Sequence, residues 1–193
     1  MAQNNIEVEI KIQLSKAEFD DIKKKIKKTS KFVKSSHHVD SYYNSGHKNF
    51  LKPKYPYEWL SIRARDGKIL LNYKHWYPEG VKHTTHCNEY ETEVSDKVQL
   101  KKILHALEIK EIITVDKKRE TYIYKKTIEI AFDEVVGLGY FLEAESLKNS
   151  GGVEKTYKKL ERFVKSLGVN EIKTIPGGYA AAMMRKKGLM KAS

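Results

Sequence analysis

The sequence predicts an α+β fold: about eight mostly antiparallel strands gathered around a polar interior, with helices packed outside. Three observations predict it. Glu7, Glu9 and Lys11 share one face of a strand while Ile6, Val8, Ile10 and Ile12 fill the other, because side chains at i and i+2 point the same way. The same alternation recurs in most later strands, with the sign of the charge changing between them. Helical stripes and turn signals separate these segments. Strands that each carry one charged face must enclose something polar. A closed barrel or tunnel does this and leaves the apolar faces for the helices to cover.

The first strand spans about residues 5–14. Ser15 and Glu18 form a capping box that opens a helix to about residue 29, with Phe19, Ile22 and Ile26 as its apolar stripe. His38 to Asn44 reads as a strand and Gly46 to Pro56 as a loop. Trp59 to Arg65 and Ile69 to Trp76 are strands joined by the Asp66-Gly67 hairpin turn. A loop from Pro78 to His86 leads to a strand from Asn88 to Val94. Ser95 is expected to cap a helix that turns Val98, Ile103, Leu104 and Leu107 inward. Ile113 to Lys125 and Thr127 to Asp133 read as a hairpin. After a turn at Gly137 and Gly139, Tyr140 to Ser146 is the last main strand. Val153 to Leu167 is a helix closed by Gly168. Pro176-Gly177-Gly178 breaks the chain before a short helix from Tyr179.

With 193 residues, 40% hydrophobic and 32% charged, the chain fits one soluble globular domain with a core of its own. No apolar run is long enough to span a membrane. Glu7 and Glu9 stand where a signal segment would be apolar, and the single Cys87 cannot form an internal disulfide, so a cytoplasmic location is expected. The net charge of +12 is concentrated at Lys23-Lys24-Lys25-Ile26-Lys27-Lys28 and around Arg185-Lys186-Lys187. Both read as solvated helix surface. No zinc finger, RNA-recognition motif or basic zipper supports nucleic acid as a partner. His83, His86 and Cys87 supply three ligand types in one loop but no second cluster, so zinc is not expected.

The charged faces carry the chemistry. Arg63 and Arg65 share a face, as do Leu70, Asn72 and Lys74, then Glu89, Glu91 and Glu93. Lys117 with Arg119, Glu129 with Asp133, and Glu143 with Glu145 follow. Burying such charges without partners would be prohibitive, so they need one another, water or a ligand. Glu7, Glu9, Asp133, Glu143 and Glu145 offer hard oxygen ligands suited to Mg²⁺ or Mn²⁺. Lys11, Arg63, Arg65, Lys74, Lys117 and Arg119 offer point charges and bidentate forks for phosphate oxygens. A small-molecule triphosphate uses this whole inventory, whereas a monophosphate would leave many cations idle.

The order of these motifs resembles the CYTH superfamily, named for class IV adenylyl cyclases and thiamine triphosphatases and also called triphosphate tunnel metalloenzymes. The hallmark E-x-E-x-K is Glu7, Glu9 and Lys11; Asp40-Ser41-Tyr42-Tyr43 is similar to D-x-Y-[YF]; Leu60-Ser61-Ile62-Arg63 is similar to L-R-x-R. Lys74, the pair Glu91 and Glu93, and Lys117-Lys118-Arg119 match the strands that follow. Asp133 through Gly137-Leu138-Gly139-Tyr140-Phe141 to Glu143 and Glu145 matches D-x-V-x-G-L-G-x-F-x-E-x-E. The resemblance implies one CYTH-like domain over residues 1–193, with a core of about 5–170 and a helical tail of about 176–193, built as an antiparallel eight-stranded triphosphate tunnel.

It also implies metal held by Glu7, Glu9, Glu143 and Glu145 with Asp133 nearby, and phosphate contacts from Lys11, Arg63, Lys74, Lys117 and Arg119. Lys11, Lys74 and Tyr42 are the expected catalytic residues; in the thiamine triphosphatase branch, the residues matching Tyr42 and Lys74 activate water. The stretch Tyr57-Glu58-Trp59-Leu60 and the run from Cys87 to Glu93 look closest to bacterial and archaeal class IV cyclase-like proteins. The expected activity is therefore conversion of ATP to cyclic AMP and pyrophosphate. The alternative is a triphosphatase acting on inorganic triphosphate, thiamine triphosphate or a nucleoside triphosphate. A third reading is a non-catalytic module that binds polyphosphate or nucleic acid. Family members are often dimers, so a homodimer is also an expectation. One departure stands out: Ser61 takes the place of the first arginine of L-R-x-R, and Arg65 is expected to replace part of the missing charge.

Overall fold

The computed structural model describes residues 6–148, 150–169 and 171–191. The expected strand start at residue 5 and the last two residues of the expected tail lie outside this range. Among the described residues, the strands are β1 (Ile6–Leu14), β2 (Lys31–Ser45), β3 (Glu58–Arg65), β4 (Lys68–Tyr77), β5 (His86–Glu93), β6 (Ile109–Tyr124), β7 (Ile128–Val135) and β8 (Gly139–Ser146). The helices are α1 (Lys16–Thr29), α2 (Lys97–Ala106), α3 (Val153–Ser166) and α4 (Gly178–Lys186). The strands form a closed antiparallel barrel in the order β1-β5-β4-β3-β2-β6-β7-β8. The eight-stranded α+β expectation holds.

The described residues form two compact units, one from Ile6, His37–Asp116 and the segment from Pro176 onward, the other from Glu7–Ser36 with Lys117–Ile175. In the second unit, Val8, Ile10, Ile12, Ile128, Ile130, Phe132, Leu142 and Ala144 form one buried apolar sheet face. Phe19, Ile22 and Ile26 of α1 pack onto it, with Leu160, Phe163 and Val164 of α3. Alternation alone separates these residues from the charged ones between them. Helix α1 opens as expected: the Ser15 side chain accepts from the Glu18 backbone N–H, and Glu18 accepts from that of Ser15 at 2.8 Å. Gly168 follows α3 with φ of +96°, the left-handed conformation that ends a helix without penalty at glycine.

In the first unit, Leu104 of α2 packs with Tyr43 and Ile62, flanked by Leu60, Ile69, Leu71, Leu100 and Ile109. Two expectations are corrected here. The cap of α2 is Asp96, whose side chain accepts from Val98 and Gln99, so the helix starts one residue later than Ser95 would place it. Of the four apolar residues expected inward, only Leu104 is buried; Val98, Ile103 and Leu107 are 63%, 56% and 56% exposed. A 10-residue helix touching the sheet along one narrow line buries few positions. Strand β2 also begins at Lys31, well before His38, because Lys31 to Ser35 are all exposed and leave no alternation to read.

Helix α4 buries Tyr179, Ala180, Ala181, Met183 and Met184. Gly177 precedes it at φ +73°, and a Cβ there would lie 2.6 Å from Ala181 Cβ and 3.5 Å from Trp59 Cζ2. Glycine is therefore required on both conformational and steric grounds.

Candidate active site

In the second unit, strand register sets the charged residues side by side. Glu9 on β1 lies opposite Glu145 on β8, which lies opposite Glu129 on β7; one step along, Lys11 lies opposite Glu143. On the next pairing, Arg119 of β6 lies opposite Asp133 of β7. Three of these groups, Glu9, Asp133 and Glu143, are almost fully buried, as is Lys117, two residues before Arg119 on β6. Burial of that degree is tolerable only with compensation, and the compensation is dense. Lys11 Nζ lies 2.7 Å from Glu9 Oε1 and 2.9 Å from Glu143 Oε2. Arg119 donates through Nε and Nη2 to the two oxygens of Asp133, at 2.7 and 2.6 Å. It also donates through Nη1 and Nη2 to Glu143, at 3.2 and 2.9 Å. Lys117 Nζ approaches Asp133 Oδ2 at 3.3 Å.

These contacts fix protonation. Burial by itself would raise the Asp133 carboxyl, but Arg119 and Lys117 outweigh it and hold the group below its ordinary value. Glu143 is likewise raised by burial, yet Arg119, Lys11 and Lys117 bring it well below the usual carboxylate range. Glu129 behaves oppositely: burial pushes it up, and Glu143 adds to the rise against the pull of Arg119 and Lys34. Of the five expected metal ligands, the structure thus places Glu9, Glu143 and Glu145 on adjacent strands, with Asp133 joined to Glu143 through Arg119. Glu7 sits half-buried at the start of the same face of β1. Among the described residues, no three His, Cys, Asp or Glu side chains converge as a ready-made metal cage. The carboxylates instead share ammonium and guanidinium partners. As hard-oxygen donors they fit Mg²⁺ or Mn²⁺.

In the first unit, β2, β3, β4 and β5 carry the remaining expected residues. Arg63 Nη1 donates to Glu89 Oε1 at 2.9 Å and to Glu91 Oε2 at 3.1 Å. Burial works against its charge, but Asp40, Glu89, Tyr42 and Glu91 together secure it. Arg65 is paired with Asp40, Nη2 to Oδ2 at 3.0 Å. Lys74 Nζ lies 3.5 Å from Glu89 Oε2 and 5.5 Å above the centre of the Trp76 ring. Tyr42 meets Trp59 edge to face, with ring centres 5.8 Å apart. One residue passed over as a face-filler is Asn72, 1% exposed, whose amide donates to both Glu89 and Glu91. Its place on the Lys74 face was readable, but a neutral side chain carries no charge pattern to single it out.

A barrel whose strands turn opposed carboxylates and cations to shared faces defines a protein built around a polyanion. Comparison with known proteins gives the family: the CYTH domain matches residues 5–179. A Methanocaldococcus jannaschii protein named "Putative adenylate cyclase MJ0240" is 31% identical over 176 residues, covering 90% of this chain and 96% of that one. The Pyrococcus horikoshii PH1819 protein superposes with a TM-score of 0.74 at 29% identity, covering 94% and 99% of the two chains. A Hippeastrum protein, "Putative adenylyl cyclase HpAC1", described as having a dominant triphosphatase activity, shares the fold with a TM-score of 0.61 at 16% identity, covering 95% of each chain. The chain belongs to the CYTH family of triphosphate-processing enzymes.

Proposed function

We propose that this protein is a class IV adenylyl cyclase-like enzyme that converts ATP to cyclic AMP and pyrophosphate with Mg²⁺ or Mn²⁺. The observation that carries the reading is the Lys11 ammonium lying within 3 Å of both Glu9 and Glu143 on an almost fully buried face. A pure anion binder has no use for carboxylates interleaved with its cations, whereas an enzyme on a metal–triphosphate complex needs both. The 31% identical relative named as an adenylate cyclase supports the cyclase over other triphosphate chemistry.

In this reading Glu7, Glu9, Glu143 and Glu145, with Asp133 close by, would hold the metal, which would supply neutralisation of phosphate charge. Lys11, Lys117 and Arg119 take phosphate oxygens as they release their carboxylate partners. In the first unit, Arg63, Arg65 and Lys74 are the candidates for phosphate oxygens. The cations stabilise the charge that develops on the transferred and leaving groups. Raising the pH favours the nucleophile until lysine deprotonation loosens the grip, so the optimum is alkaline.

A second reading, a triphosphatase, is favoured by Tyr42 and Lys74, which stand on the same face of β2–β3–β4. There they would activate water against the terminal phosphate. One reaction panel separates the two: ATP, inorganic triphosphate and thiamine triphosphate, each with Mg²⁺ and with Mn²⁺. Cyclic AMP with pyrophosphate establishes the cyclase. Orthophosphate without cyclic AMP establishes the triphosphatase. Silence from all three, with Glu9→Gln leaving metal binding intact, would favour a non-catalytic polyphosphate binder.

A further inference from the structure

Ser61 of β3, Asn72 of β4 and Glu91 of β5 lie in one row across three paired strands, and both Ser61 and Asn72 are only 1% exposed. In this row Asn72 does more than fill space. Its Nδ2 donates to Glu89 Oε1 at 2.6 Å and to Glu91 Oε2 at 3.1 Å. Arg63 Nη1 donates to the same two oxygens, at 2.9 and 3.1 Å. Two donors thus share two acceptors, and two neighbouring carboxylates are held together without a second guanidinium between them.

This leaves Arg63 in an unusual state. It is 8% exposed, and its Nε–H is buried without a hydrogen-bond partner among the described residues. A buried donor on a charged group is costly to leave unmet. The guanidinium is a rigid planar fork, so fixing Nη1 fixes the plane in which Nε donates. The group that suits Nε is an anionic oxygen. The neutral amide of Asn72 pins the two glutamates that pin Nη1, and it does so without adding a cation that would compete with Arg63 for them.

We propose that Asn72 is a positioning residue: through Glu89 and Glu91 it orients Arg63 so that Nε–H donates to a phosphate oxygen of the substrate. This rests on the reading of the protein as a triphosphate enzyme. The test is calorimetric titration with inorganic triphosphate in the presence of Mg²⁺, on the full chain and on Asn72→Ala, Arg63→Ala and the double variant, with melting temperatures recorded for each. Asn72→Ala is expected to weaken binding about tenfold, the loss of roughly one well-placed charged hydrogen bond. In the Arg63→Ala background, Asn72→Ala is expected to cost nothing further, because Asn72 acts only through Arg63. A merely structural asparagine would lower the melting temperature without that coupling. Should Asn72→Ala fail to fold, Asn72→Ser keeps one donor and is expected to give an intermediate loss with the same coupling.

Binding by the Asn72 variants equal to that of the full chain, or additive losses in the double variant, would overturn the assignment while leaving the triphosphate reading in place. No triphosphate binding by the unaltered chain would remove that reading, and the assignment with it.

Discussion

Arg119 meets Asp133 edge to edge, with Nε and Nη2 at 2.7 and 2.6 Å from the two carboxylate oxygens. Asp133 is wholly buried, and the same guanidinium turns its two terminal nitrogens to Glu143. One guanidinium is therefore shared by two buried acids on neighbouring strands, with Lys117 and Lys11 adding to its effect.

Arg119→Ala is expected to destabilise the fold by about 3–5 kcal/mol in urea denaturation, because it strips the nearest cation from Asp133 and one of the two close cations from Glu143. The variant should also unfold at a higher pH on acidification. Folding depresses Asp133 and Glu143 below their ordinary values of 3.8 and 4.5. A depressed carboxyl stabilises the fold above its ordinary value, and that contribution is lost as the pH falls through the folded value. Stability from this pair is thus complete above about pH 5 and lost progressively below it. Losing Arg119 moves the acid transition upward; an unchanged transition would show that other groups sustain the pair.

Glu129 titrates with the opposite sign. Burial and Glu143 raise it above its ordinary 4.5, so its ionised form is disfavoured by folding and subtracts stability as the pH rises through the folded value. Glu129→Gln should melt higher than the unaltered protein at about pH 8, and the difference should vanish near pH 4. A difference constant with pH would point to packing instead of charge.

Lys11 bridges Glu9 and Glu143, two of the carboxylates proposed as metal ligands. Lys11→Met should reduce turnover of the best triphosphate about 10²–10³-fold, the usual loss when one preorganised charge-stabilising donor goes. Mn²⁺ affinity should hold or rise, since a competing cation has been removed. Calorimetry with Mn²⁺ alone checks this; weaker metal binding would mean that Lys11 shapes the carboxylates it bridges.

On α2, Leu104→Ala should cost about 2–4 kcal/mol, as for other buried leucines. Ile103→Ser, one residue away but 56% exposed, should stay within about 0.5 kcal/mol. Thermal melts of the two variants compare them directly.

Helix α2 also shows where reading the sequence stops. Apolar spacing placed Val98, Ile103 and Leu107 inward, but only tertiary packing decides how wide a stripe a short helix buries, and here it is the width of Leu104 and its immediate neighbours. The strands were far more legible. Period-two alternation with charge on one face survives burial, so Glu9, Lys11, Glu143 and Asp133 could be assigned to one face before any pairing was known. Ion-pair partners were not legible. Asp40 lies opposite Arg63 yet bonds the diagonal Arg65, and no one-dimensional pattern distinguishes opposite from diagonal. Asn72 was invisible for a different reason, since its work is done by hydrogen-bond geometry and not by charge.

The Glu9–Glu145–Glu129 row has a consequence for how such a chain can change over generations. Each strand is a reading frame with a two-letter period. Inserting one residue between Ala144 and Glu145 would send Glu145 into the layer beneath α1 and α3 and turn Ser146 to the charged side. Lineages can lengthen the turns between strands freely, but any strand can grow or shrink only in pairs. The barrel's chemistry is thus inherited as a parity, with substitutions tolerated one at a time and single insertions screened out within the strands themselves.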